Sequence, residues 1–320
     1  MGFSASKAIN LIVENNIVNH ITPYGTPGEL IETVRGWKKL TGGWALSGGS
    51  SVTFRNNTAA SLWHRGFSIP AHKCGASNSK IKDNIAHSIS GFGVIVTKDN
   101  SRCNEFSDFS AYKIGIAAVE MTVSGDNHVT NVVTIDSARG IHMMGSPGKN
   151  IEVRDNFLYG SQNMKNSDCP LSSDGMCGCT GRTGITIPTF AGPTKDGIHK
   201  DFMMHEYFEG GGHWVAGDSL YIDNTFIGFD SKINACGGEQ RVIATNKSHP
   251  QYHPIAHFRR NKFVNQGEDA MFKMYAPNPL WAKIPMCGTF TCTGLYNAVI
   301  KMSESRFSGF PYVGNIPYTF

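Results

Sequence analysis

This chain of 320 residues lacks several features that mark membrane and nucleic-acid-binding proteins. No apolar run approaches the roughly 18 residues of a membrane span, and the best run, 114–123, is interrupted by Glu120. Residues 1–15 lack the apolar core of a signal peptide. Charged residues make up 17% of the chain, the formal net charge is +4 and no run of Lys or Arg occurs, so nucleic acid is not expected as the main partner.

A short asparagine-containing motif recurs along the chain. Each copy has an apolar residue, one or two polar residues, an asparagine and a second apolar segment, and the asparagines are Asn16, Asn57, Asn84, Asn156, Asn224 and Asn261. A seventh copy has Ser305 at this position. The intervals are 41, 27, 72, 68, 37 and 44 residues, and Asn127 divides the longest into 43 and 29. Inexact recurrence on this scale is typical of stacked structural units.

The motif also predicts what kind of unit is stacked. Its strands, about three to six residues long, are too short to bury a face alone, so each unit must pack on the next. Asparagine tolerates a left-handed backbone at a corner, and stacked asparagines can form a hydrogen-bonded ladder. The predicted fold is all-β: a right-handed parallel β-helix with a Cys/Gly/Ser-rich loop insertion. An asparagine-rich β-sandwich with coincidental turns is the alternative.

A single domain is expected over residues 1–320, because a solenoid grows along one axis and the glycines and prolines are dispersed. The insertion is placed at about residues 161–217, which begin with a segment rich in Cys, Ser and Gly. Such insertions form loops on one face of a solenoid, commonly the binding face. Residues 63–74 are interpreted as a shorter loop.

Other segments occur in an ordered combination: Asp83-Asn84-Ile85-Ala86-His87-Ser88, Gly91-Phe92-Gly93, Phe109-Ser110-Ala111-Tyr112-Lys113, Ala118-Val119-Glu120, Pro277-Asn278-Pro279-Leu280-Trp281, Cys287-Gly288-Thr289-Phe290-Thr291-Cys292-Thr293-Gly294 and Asn297. Over most of residues 80–310 this combination resembles the parallel β-helix repeats of the fibrocystin and fibrocystin-L (polyductin-like) proteins. The resemblance implies a large extracellular or cell-surface protein, often ciliary, whose β-helix serves display, adhesion or reception. Relatives that share this architecture include hyaluronan-binding and hyaluronan-degrading proteins, so a link to glycans is implied as well.

A G8-type domain, a signal sequence and an anchor are missing relative to that family, so we expect one segment of such a protein or a shortened relative. The predicted function is non-enzymatic: a structural, adhesion or receptor module whose partners are neighbouring chains or domains of a surface assembly, with glycans as further candidate partners. No cofactor is expected. The alternative is a carbohydrate-active enzyme, a polysaccharide lyase or hydrolase acting on a hyaluronan-like or other uronate polymer.

The even number of cysteines, eight, fits an oxidised framework. Cys287 and Cys292 enclose a four-residue loop that suits a local disulfide, and Cys169 with one of its neighbours would close the insertion. The disulfide candidates are Cys74, Cys103, Cys169, Cys177, Cys179, Cys287 and Cys292. Glycosylation sequons begin at Asn56 and Asn246, and they bear on function only if the protein is secreted.

A metal site is the alternative for the Cys177-x-Cys179 pair, completed by His199 or Cys169. Because the spacing is not that of a standard zinc module, no metal site is predicted.

No catalytic residue is assigned. The densest polar group contains Asp196, His199, Asp201 and His205, which would supply the acid, the base and a proton-handling imidazole of a polysaccharide site. We interpret it instead as a solvated loop, because sequence does not fix the carboxylate separation and β-helix lyases usually need a calcium site. Residues 266–269, Gln-Gly-Glu-Asp, are interpreted as a turn.

Overall fold

The structure is a computed structural model, and it describes residues 2–21, 42–50, 52–75, 80–97, 103–115, 117–121, 126–137, 139–143, 150–160, 182–187, 218–229, 240–245, 255–266, 272–273 and 299–308. Every regular element in these ranges is a β-strand. Within them there is no helix long and apolar enough to cross a membrane.

The described strands, numbered in chain order, form three sheets. Sheet A has the spatial order β1 (Phe3–Ile9), β4 (Gly42–Ser50), β7 (Arg65–Pro70), β11 (Phe92–Thr97), β13 (Ala117–Met121), β15 (Arg139–Met143), β18 (Arg182–Ile187), β21 (Gln240–Thr245) and β24 (Phe272–Lys273). Sheet B has β2 (Ile12–Glu14), β5 (Thr53–Arg55) and β9 (Ile81–Lys82).

Sheet C is the largest. Its main path is β25 (Val299–Ser303), β22 (Ile255–Arg259), β19 (Asp218–Ile222), β16 (Asn150–Arg154), β14 (Asp126–Ile135), β12 (Cys103–Ile114), β10 (Asn84–Ile89), β6 (Thr58–Ala60) and β3 (Ile17–Asn19). Off this path lie β17 (Phe157–Tyr159), β20 (Thr225–Ile227), β23 (Lys262–Val264), β26 (Arg306–Ser308) and β8 (His72–Lys73).

The strands pair in parallel, with a repeating order. Strands β1, β2 and β3 pair with β4, β5 and β6, respectively, so the same three-strand sequence lies one level higher. Among the described strands, β8 with β12 is the one antiparallel pair. The described part of the chain is therefore all-β, with large, mostly parallel sheets in which successive strand sets stack in the same direction. We call each strand set a coil.

Side chains of like shape stack inside these coils. Tyr221 lies on Phe258 with ring centroids 4.4 Å apart, and Phe226 lies on Phe263 at 5.1 Å. All four are buried, and burial of each ring contributes about 1.5–3 kcal/mol, with a further contribution from ring stacking. The short strands thus gain their stability from neighbouring coils.

The corner asparagines form hydrogen-bonded ladders between coils. The Asn57 Nδ2 group donates to the Val13 carbonyl of the preceding coil (2.9 Å), and its Oδ1 accepts the Asn16 N–H (3.2 Å). The same reach toward the preceding coil is made by Asn84, Asn156, Asn224 and Asn261. These amides therefore satisfy buried backbone groups at each corner.

The left-handed residue at each corner is the one before the asparagine, so the expectation that the asparagine itself is left-handed is wrong. Asp83, Asp155 and Asp223 have φ of 56°, 55° and 55°. Asp and Asn adopt left-handed backbone angles at low cost. The side chain of Arg260 (φ 53°) does not favour these angles in the same way. In each motif the residue before the asparagine makes the left-handed turn. The asparagine amide makes the hydrogen bonds to the preceding coil.

Two corners lack the asparagine. In register, Phe109 and then Val132 follow Asn84, at intervals of 25 and 23 residues, and Asn156 comes 24 residues later. The long interval therefore contains two further coils. The suggestion that Asn127 marks a corner is wrong: it lies within β14 opposite Ile151 of β16.

The expected insertion and the expected loop at residues 63–74 both contain sheet strands. Strand β18 lies inside residues 161–217 and pairs with β15 and β21, so this segment is not one continuous insertion. Its sequence, Arg-Thr-Gly-Ile-Thr-Ile, carries the β-branched residues of a strand. Likewise β7 and β8 occupy most of residues 63–74.

Candidate binding surface

The outside of sheet C carries two adjacent columns of side chains. In register, one column contains Ile85, Ser110, Val133 and Phe157, and the other contains His87, Tyr112, Ile135 and Tyr159. Between the two columns the inward-facing residues are buried: Ala86, Ala111, Thr134 and Leu158. We call the outward set Ile85, His87, Tyr112, Val133, Ile135, Phe157 and Tyr159 the outer strip.

The outer strip is a solvent-exposed apolar surface. The exposed fractions are 39% for Ile85, 38% for Tyr112, 40% for Ile135 and 36% for Phe157. A single exposed apolar residue is ordinary, but large ones on four consecutive coils form a patch. Their positions are fixed, because strand pairing holds each backbone to the coils above and below.

The His87 and Tyr112 rings stack across coils, with centroids 4.7 Å apart and an interplanar angle of 5°. Desolvation lowers the pKa of His87, which favours the neutral imidazole at neutral pH. The faces of the two rings point toward the neighbouring coils. The ring edges therefore point away from the sheet, toward solvent. The pair is suited to contact with another apolar surface.

Polar corners border the strip on both sides. Before the strip the corner residues include Asp83, Asp108 and Asp155, and after it they include Lys113 and Asp136. One coil thus has a carboxylate and an ammonium group on opposite sides of Tyr112. This charge asymmetry belongs to the coil of Tyr112, because on the next coil the same border carries Asp136.

The size of the strip indicates how strongly it can bind. Four coils about 4.8 Å apart, with two columns about 7 Å apart, expose an area on the order of 200–300 Å² once side-chain width is included. A stable protein interface buries about 800 Å² per partner. A single strip therefore fits a weak contact.

A second polar group lies on sheet A, at positions that alternate along the strands with the core residues Val119, Met121 and Ile141. His142 Nδ1 and Glu120 Oε2 are 2.6 Å apart on the neighbouring strands β15 and β13, and both residues are buried. In the described part of the structure, Glu120 Oε1 has no hydrogen-bond partner. A carboxylate–imidazole pair is able to move protons, but its burial leaves no room for a polymeric substrate.

His64 is buried beside Phe92, which belongs to a small apolar cluster separate from the main core. Its ring meets Phe92 edge to face at 5.8 Å. Burial, followed by the neighbouring Arg65 charge, lowers the pKa of His64 to about 3. The imidazole is neutral in the folded protein at ordinary pH.

The catalytic candidates Asp196, His199, Asp201 and His205 lie outside the described residues. So do Asn246 and the cysteine candidates Cys169, Cys177, Cys179, Cys287 and Cys292. Cys74 and Cys103 form a disulfide. Asn56, in the first sequon, is exposed at a corner with φ 51°.

Sequence reasoning missed the outer strip and Gln266. The signal for the strip was a period of two in Ile85-Ala86-His87, with the large residues on the face opposite the alanine. Gln266, taken for part of a turn, is buried: its Oε1 accepts the Phe229 N–H and its Nε2 donates to the Phe226 carbonyl. Gln266 thus bonds backbone groups of the preceding coil with its side-chain amide, as the corner asparagines do.

No protein-family model, curated protein or solved structure matches this chain.

Proposed function

We propose that the chain is a right-handed parallel β-helix that serves as an adhesion module of a fibrocystin-like extracellular or cell-surface protein. The pairing of the first strand set with the second, and the continuation of sheets A and C in chain order, favour one winding coil. A right-handed turn is favoured because parallel strand crossovers have this hand in about 98% of cases.

One described feature supports an extracellular setting. The Cys74–Cys103 disulfide is of a type that persists in oxidising compartments. In that setting the exposed Asn56 sequon would be accessible to a glycan on the folded surface. Cilium association follows the family resemblance alone.

The observation that carries the proposed function is the outer strip. Exposed apolar side chains on consecutive coils favour a protein partner, because aliphatic groups and ring edges offer few hydrogen bonds to a hydrated sugar. The partner we propose is the strip of a second copy. Isologous packing with the coil axes parallel turns the two polar borders toward each other, so that Lys113 of one copy faces Asp108 of the other.

The small strip makes this contact weak, so adhesion requires many copies. Weak contacts become strong when copies are clustered on a surface, because each further contact forms within the same assembly. A module of a surface assembly meets that condition.

The polysaccharide lyase or hydrolase alternative rests on Asp196, His199, Asp201 and His205, which lie outside the described residues. It enters the test as a competing outcome.

The test is an aggregation assay with beads densely coated with the full chain. Wild-type beads should aggregate, and Ile135→Glu should abolish aggregation because it places a charge in the strip. Lys113→Glu should weaken it, whereas Lys301→Glu, an exposed lysine of β25 away from the strip, should leave it unchanged. Thermal unfolding checks that each variant is folded.

Wild-type beads that stay dispersed, or Ile135→Glu beads that aggregate like wild type, would refute the homophilic contact. Aggregation only when hyaluronan is added, or shortening of the hyaluronan chains, would favour the glycan alternatives.

A further inference from the structure

Three metal-binding side chains converge at one place outside the outer strip. The sulfur atoms of Cys74 and Cys103 and a ring nitrogen of His128 all lie within 4.8 Å of one another. The Cys103 sulfur is 3.8 Å from His128 Nε2. All three residues are half-buried, so the group can be reached from solvent.

The fold brings these groups together from three elements. Cys103 is the first residue of β12, and His128 on β14 pairs in register with Glu105, two residues further along β12. Cys74 follows β8, which runs antiparallel to β12. The turn at Gly75 (φ 72°) is tied down because the Gly75 N–H donates to Glu105 Oε2 at 3.0 Å.

We infer that the Cys74–Cys103 disulfide is one state of a redox-controlled zinc site, and that the reduced chain binds Zn²⁺ through Cys74, Cys103 and His128. Two thiolates and an imidazole are ligands that zinc prefers. Three protein ligands leave one coordination position for water. This inference is independent of the outer strip.

The chemistry of the switch balances with an external dithiol as reductant. The dithiol transfers two electrons and two protons to the disulfide, whose S–S bond breaks to give two thiols, and the dithiol itself becomes a disulfide. Zn²⁺ then displaces the two thiol protons. The disulfide and the metal exclude each other, because both use the same sulfur atoms.

The surroundings favour a cation. In the neighbouring coils, Glu105 and Glu152 lie in register on either side of His128. Glu105 also accepts the N–H of Gly75, the residue after Cys74. Glu152 is partly neutralised by Arg154, 3.1 Å away.

The experiment measures alkylation of each cysteine by peptide mass spectrometry, because the chain has six other cysteines. The full chain is reduced with a phosphine and treated with iodoacetamide with and without Zn²⁺. Zinc should slow alkylation of Cys74 and Cys103 together by at least about tenfold. His128→Gln should remove most of this protection, whereas the control His257→Gln, a half-exposed histidine on β22, should not.

A second variant covers the case in which the reduced chain unfolds. Cys74→His combined with Cys103→His places three imidazoles at the same positions and needs no reductant. Zinc should raise its melting temperature, and adding His128→Gln should remove that rise. Equal alkylation rates with and without zinc in folded protein would overturn the inference, as would a triple-histidine site whose melting temperature zinc does not change.

Discussion

Replacing Asn224 with alanine should be among the most costly single changes at a corner. The side chain is fully buried; its Nδ2 donates to the Val153 carbonyl at 2.9 Å, and its Oδ1 accepts the Asn156 N–H at 3.1 Å. Alanine leaves both backbone groups buried without these partners. At about 1–3 kcal/mol for each unsatisfied group, Asn224→Ala should lower the free energy of unfolding by about 2–6 kcal/mol.

Substitution of Asn224 by serine tests the acceptor and the donor role of its amide separately. At the last described corner, Ser305 Oγ accepts the Asn261 N–H at 3.3 Å but donates to Ser303, within its own coil. Asn224→Ser should therefore keep the acceptor for Asn156 and lose the donor to the preceding coil. The expected loss is about half that of alanine.

Guanidinium unfolding followed by circular dichroism measures these differences, and hydrogen exchange at residues 153–156 reports whether the damage is local, since solenoids unfold in parts. Thr225→Ala is the matched control, because Thr225 is the next residue and is only half-buried. Its expected cost is below about 1 kcal/mol. An Asn224→Ala variant as stable as this control would show that the ladder does not stabilise the stack.

Three further changes test other parts of the structure. Because the pKa of His64 is lowered to about 3 in the folded state, the unfolded chain takes up its proton first; stability should be complete above about pH 6.5 and fall by up to about 1.4 kcal/mol per pH unit below it, and His64→Phe should flatten this slope in melting curves. Cys74→Ser opens the link to Cys103, which spans 29 residues, and should cost about 3–4 kcal/mol in denaturant unfolding, with an unchanged midpoint as the contrary result. Glu120→Ala should cost about 3–5 kcal/mol by leaving His142 without its carboxylate partner, whereas Glu120→Gln, which keeps an acceptor, should cost clearly less; equal losses would contradict the pairing.

The corner positions could be predicted because a buried amide is chemically distinctive and recurs in the same local sequence. Which residue of the corner is left-handed could not be predicted, because in polar-Asn pairs such as Asp83-Asn84 either residue can adopt that conformation. In Asp108-Phe109, Asp108 makes the left-handed turn, but Phe109 stands where the other motifs have asparagine. A search for asparagine therefore misses this coil. The better signal is the polar residue that precedes the corner.

The outer strip could not be predicted because sequence patterns show which side chains share a face but not which face is inside. In β10 the small residue Ala86 faces the core, and the larger Ile85 and His87 face outward. Hydrophobic size alone favours the opposite arrangement. The inward residue of this row also changes from coil to coil, from Ala86 to Leu158 and Phe226, so its size at one coil does not identify the core face.

The two coils without a corner asparagine are also the ones on which the proposed surfaces meet. Elsewhere the chain breaks into two strands at the asparagine, as in β9 and β10, whereas β12 runs unbroken from Cys103 to Ile114 and β14 from Asp126 to Ile135. Nine register pairs join these two strands on both sides of the bend, and Phe109 packs edge to face on Phe67 at 5.7 Å in place of an amide.

Register pairs flank the bend on both sides and support it as a sheet surface, and at the bend the Val132 N–H donates to Asn156 Oδ1 of the next coil. Tyr112 and Ile135 of the outer strip lie at one end of these two strands, and Cys103 and His128 of the proposed zinc site lie toward the other. Loss of the ladder amide therefore accompanies a gain of uninterrupted sheet, and positioned side chains require such a support. This links the irregularity in the repeat to the function we propose.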